Sequence, residues 1–141
     1  MVVRTIMKEA LRYLQNARGI LKKAPREGRV YTDVKPVREA CGTAYLAVLE
    51  AINEYLFRRG LTKKELPKPA RRFALAGGSV ETYQQALRKY VGIHNGKLFR
   101  EFNMLYDALH IAGYYRGLLY NVEAVKDYLN AVQQFIAKLD K

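Results

Sequence analysis

Arg88 and His94 are the pair in this chain best suited to chemistry. They flank five residues of "LRKYVGIHNGKLFRE", 87–101, a stretch broken by Gly92 and Gly96. An imidazole titrates near neutrality and moves protons. A guanidinium holds a phosphate and offsets the charge that develops on it. The pair reads as a phosphodiester-cleaving site. It reads more readily as a helix end, where cationic side chains sit favourably beside exposed carbonyls.

Other residue types narrow the chemistry. Cys41 is the single cysteine, and there are two histidines, His94 and His110. That excludes an internal disulfide and leaves too few ligands for a protein-only zinc site, so no metal and no cofactor is expected. Arg58, Arg59, Lys63, Lys64, Lys68, Arg71 and Arg72 are opposed locally only by Glu65, with Phe73 nearby. Such a cluster tracks a phosphate backbone, or it is a solvated loop around Pro67 and Pro69. "AGGSV" lacks the spacing of a phosphate-binding loop and reads as a turn with an N-cap. Tyr114, Tyr115 and Tyr120 crowd a helix end, which suits an interface. His110, between Tyr106 and Tyr114 at helical spacing, reads as core or boundary packing with a hydrogen bond. Glu54 and Arg58 read as an i,i+4 ion pair, and Cys41 as an inert member of an apolar stripe.

The chain has 141 residues, half of them hydrophobic, with a net charge of +12. This is one domain's worth, 1–141, with material for a real core. The charge is uneven: residues 1–100 hold 21 Lys+Arg against 8 Asp+Glu, and residues 101–141 hold 4 against 5. A basic front implies an anionic partner, RNA or an acidic protein. The uncharged run 40–49 is too short for a membrane span, and "MVVRTIMKEA" is charged where a secretory signal would be apolar. A cytoplasmic location is expected.

The elements that must position these residues are helical. Met7, Ala10, Leu11, Leu14, Ala17 and Leu21 form one stripe of a first helix, about Arg4 to Ala24. "APREGRVYTD" breaks it. Asp33 is an N-cap with Pro36 in the first turn, and Gly60 is the stop. Between them Val37, Cys41, Ala44, Tyr45, Val48, Ile52, Tyr55 and Leu56 make one face and Ala40, Ala47 and Ala51 another. A helix apolar on two faces belongs in the middle of a bundle. Short helices follow, one carrying Val80, Tyr83, Leu87, Tyr90 and Val91. Asn95 caps a helix with Leu98, Phe102, Leu105, Leu109 and Ala112. Asn121 caps the last, with Val122, Val125, Leu129, Val132, Ile136 and Leu139. The expected fold is an all-α, up-and-down bundle of four long helices plus one or two short ones.

"MKEALRYLQNARGILKKA" followed by "VREACGTAYLAVLEAINEYLFRRG" resembles the opening helix pair of HEPN domains, the higher-eukaryote and prokaryote nucleotide-binding bundles. The closing helix "VEAVKDYLNAVQQFIAKL" is similar too. Resemblance to this family implies an HEPN-like bundle, usually a homodimer. It implies that Arg88 and His94 match a metal-independent ribonuclease motif, with the RNA 2′-hydroxyl as nucleophile. Lys89 stands where active members place Asn, Asp or His, and Asn95 and Gly96 replace a usual aromatic. The chain also looks similar to a small Bacteroidales family of unknown function, which implies no activity. The reading is therefore a homodimeric binding or assembly module with a basic face. The alternatives are a toxin-like ribonuclease using Arg88 and His94, and an adaptor for a partner such as a nucleotidyltransferase.

Overall fold

A computed structural model describes residues 7–62, 64, 78–89 and 96–140. The elements run α1 (Lys8–Lys22), β1 (Arg26–Glu27), β2 (Val30–Tyr31), α2 (Val34–Arg58), α3 (Gly78–Leu87), α4 (Gly96–Leu105), a π-helical continuation of α4 (Tyr106–Tyr115), and α5 (Val122–Leu139). The chain is mostly helical, as the periodicity requires.

α2 is the axis of the bundle. It packs against α1, the π segment, α5 and α3. Both of its apolar faces are buried, the alanine face included, because small side chains let neighbouring helices approach closely. Asp33 caps it, accepting from the Lys35 amide at 3.0 Å. Asn121 caps α5 likewise, accepting from the Ala124 amide at 2.9 Å. Each satisfies a donor that the first helical turn leaves without a partner. All six stripe residues of α5 are buried, as are Val80, Tyr83 and Leu87 of α3 and Leu98, Phe102, Leu105 and Leu109. Tyr90, Val91 and Asn95 lie outside the described residues. Leu11, placed on the inner stripe of α1 by spacing, is exposed. The buried line there is narrower: Met7, Ala10, Leu14 and Ala17.

The breaker "APREGRVYTD" is more than a loop. It folds into a two-residue antiparallel hairpin pairing Arg26 with Tyr31 and Glu27 with Val30. Gly28, at φ +59°, takes the left-handed turn that an L side chain resists. The hairpin then docks on the segment before α5. The Tyr31 amide donates to the Tyr120 carbonyl and the Val122 amide to the Arg29 carbonyl, each at 2.8 Å. Among the described residues no helix is long and apolar enough to cross a membrane.

Candidate functional site

The π segment decides which rings come together. At ~100° per residue, nine steps put Tyr115 on the helix face opposite Tyr106. At the ~80° per residue of an i→i+5 helix, nine steps close about two full turns. Tyr115 therefore returns to the side that carries Tyr106 and His110. The His110 ring lies 5.4 Å from Tyr106, 4.9 Å edge-on from Tyr115 and 6.0 Å, nearly parallel, from Tyr114. Beneath it, Tyr45 of α2 stacks at 4.8 Å.

Three contacts hold the π segment against α2. Gly113 abuts Cys41, so a Cβ there would come within 2.7 Å of the Cys41 sulfur. Gly42 admits the Tyr114 ring in the same way, at 2.8 Å. Arg38 donates to the carbonyls of Tyr114 and Tyr115 at 2.8 and 3.3 Å, where a cation complements the helix end. Gly117, at φ +61°, then closes the helix, with the Leu118 amide reaching the Ala112 carbonyl.

Burial sets the electrostatics of this region. His110 is half-buried, and desolvation holds its pKa below the ordinary imidazole value. The Tyr45 hydroxyl is pushed up for the same reason, with Tyr106 and Tyr83 adding to it. It is buried and has no hydrogen-bond partner among the described residues. Burial pushes the Cys41 thiol up to about 12. No group of three His, Cys, Asp or Glu that could hold a metal occurs among the described residues.

The residues singled out by sequence fall in different places. Arg88 is exposed and lies 4.6 Å over the Phe99 ring, a cation–π contact. His94 lies outside the described residues, so the pair's geometry does not enter the site. Arg58 donates to the Leu139 carbonyl at 2.6 Å and is 3.9 Å from Asp140. It does not form the expected pair with Glu54, whose carboxylate accepts from the Met7 amide. That contact comes from residues distant in sequence, which an i,i+4 rule cannot see. Arg59 sits 4.9 Å over the Tyr55 ring. Lys64 is exposed, and Lys63, Lys68, Arg71 and Arg72 lie outside the described residues.

The three tyrosines read from sequence as an interface share one end of the bundle. Tyr114, Tyr115 and Tyr120 are 44, 62 and 58% exposed, and Leu118, Val30 and Val34 stand exposed beside them. The docked hairpin brings Arg26 and Arg29 to that end, the start of α2 brings Lys35, and Arg116 follows the π segment. These four are exposed and form no ion pair among the described residues. Elsewhere Arg12 pairs with Glu9, and Lys138 with Glu101. Sequence reasoning missed the four cations because they come from three separate elements. Only their charge marked them.

The profile of DUF5618, a domain of unknown function, matches residues 5–141. The chain belongs to this family. A solved structure of a protein of unknown function from Dyadobacter fermentans resembles the DUF5618 chain with a TM-score of 0.72 and 28% identity. The likeness covers 99% of this chain and 97% of that one. No curated protein matches it. The DUF5618 match thus spans nearly all of a mostly helical chain, with the ring and arginine end as its candidate site.

Proposed function

We propose that this DUF5618 chain is an HEPN-like helical-bundle binding module whose working surface for an anionic partner is the hairpin end. One observation carries the reading. Arg26, Arg29, Lys35 and Arg116 stand without ion pairs among the described residues, at the end that exposes Tyr115 and Tyr120. Exposed rings beside exposed cations, which outnumber Glu27, Asp33 and Glu123 at this end, make a surface suited to an anionic, ring-bearing or apolar partner. The resemblance of α1 and α2 to an HEPN helix pair supports the bundle type. Arg58 and Arg59 do less for partner binding than their charges imply, since a carbonyl and a ring already engage them.

Retention on a sulfated polysaccharide matrix tests this. Arg26→Glu with Arg29→Glu should elute at clearly lower salt than wild type. Arg59→Glu with Lys64→Glu makes the same change in net charge and should shift elution less. An equal or larger shift from the second pair would move the surface away from the hairpin.

Self-association has its own observation, the exposed aliphatic side chains of Val34 and Leu118. Sedimentation over a range of concentrations at high salt, where the net charge is screened, should then show a dimer. Leu118→Glu should abolish it, and a monomer throughout would reject this second reading.

A further inference from the structure

The partner of this surface can be named by its chemistry. We infer that the hairpin end binds single-stranded nucleic acid, with bases stacking on Tyr115 and Tyr120 and phosphates held by Arg26, Arg29, Lys35 and Arg116. This rests on the hairpin end being the working surface.

Two features favour a single strand over other polyanions. First, the two tyrosines are the most exposed rings at this end. Tyr120 makes no ring contact with another described residue. Tyr115 meets Tyr114 and His110 in T-shaped contacts and still leaves 62% of its surface exposed. Unpaired bases present faces for such rings, and bases inside a duplex do not. Second, the backbone segments that carry the rings are tied to the elements that carry the cations. Tyr120 is tied through its carbonyl to Tyr31 of the hairpin that carries Arg26 and Arg29. Tyr115 is tied through its carbonyl to Arg38, one turn beyond Lys35. A strand crossing this end meets cation and ring on the same two supports. Pre-positioning of that kind lowers the entropy lost on binding.

Sequence preference should be weak, because every base has a π-face. Ribose and deoxyribose strands should bind alike, since no contact proposed here reads the 2′-hydroxyl.

The test is fluorescence anisotropy with labelled oligoadenylate of about twelve nucleotides, within the usual span of a small single-strand site. Its duplex and an abasic strand of the same length are the comparisons. Wild type should bind the RNA and DNA single strands alike, and both comparisons more weakly. Tyr115→Ala and Tyr120→Ala should each weaken binding about tenfold, the effect of losing one stacked base. Tyr→Phe at either position should restore it. Arg26→Glu with Arg29→Glu should flatten the dependence of log affinity on log salt by roughly 0.7 per lost phosphate contact. Both tyrosines are exposed, so circular dichroism should show the variants folded.

Equal binding of the abasic strand or the duplex, or full affinity in the Tyr→Ala variants, would overturn the stacking. If arginine reversal still lowered elution from the sulfated matrix, the surface would stand as a site for acidic partners generally. If reversal changed neither assay, both readings would fall.

Discussion

Gly113→Ala should loosen the bundle, and the size of the effect follows from the distances. The added Cβ would lie 2.7 Å from the Cys41 sulfur, 2.8 Å from the Cys41 Cβ and 3.2 Å from the Ala108 carbonyl oxygen. Carbon atoms rest at about 3.5–4.0 Å, so α2 and the π segment must separate by roughly 1 Å. Cys41 is fully buried in the longest helix and has little room to yield. Overpacking of this kind costs about 1–3 kcal/mol, and replacing a helical glycine by alanine returns up to ~1 kcal/mol. The expected net loss is about 1–2 kcal/mol. Gly42→Ala meets only the Tyr114 ring, at 2.8 Å, and that exposed ring can swing outward. It should be neutral or stabilising. Urea unfolding followed by circular dichroism reads both. With a slope of about 2 kcal/mol per M, the Gly113 variant should lose roughly 0.5–1 M in midpoint. Cys41→Ala removes the clashing sulfur. The double variant should therefore be more stable than the sum of single effects, by about 1 kcal/mol. A Gly113→Ala protein as stable as wild type, or strict additivity with Cys41→Ala, would refute the close packing on which the ring cluster depends.

Tyr45→Phe should raise stability by ~1 kcal/mol, because it removes a buried hydroxyl that has no hydrogen-bond partner among the described residues. A clear loss in urea midpoint would show that the hydroxyl has a partner. For His110, the unfolded imidazole takes up a proton near pH 6.5, whereas burial holds the folded pKa lower. The unfolded state thus binds more protons just below pH 6.5, and stability, complete above that value, should fall as pH drops through it. His110→Gln should flatten that part of the profile, and an unchanged slope would rule His110 out as its source. The Cys41 thiol, pushed up to about 12 by burial, should resist alkylation at pH 8 until the bundle opens. Labelling faster than amide exchange of the α2 core would contradict its burial.

The helices of the core were legible because their signals are local. The alternation of apolar residues in α2 and α5 reports directly which faces are buried, and the 3.6-residue period converts spacing into direction. Asp33 and Asn121 were legible as caps because each bonds an amide within three residues of itself. The same local rule failed where a distant group competed. Arg58 left Glu54 for the Leu139 carbonyl once α5 had packed alongside. Leu11 stayed outside because α2 and α5 cover a narrower strip of α1 than its apolar residues span.

Helical spacing already set Tyr106 and Tyr114 beside His110, but it could not add Tyr115 to that cluster. An α-helical period sends Tyr115 to the far side, and only the widened turn returns it. That widening accompanies contacts with Cys41, Gly42 and Arg38 more than sixty positions earlier in the chain. The cations of the hairpin end were equally hidden. Composition determined that the protein is basic and helical, and periodicity determined the buried faces of α2 and α5. Tertiary structure decided which cations and rings share a surface, because that depends on a docked hairpin and a helix register set by packing rather than by neighbours in sequence.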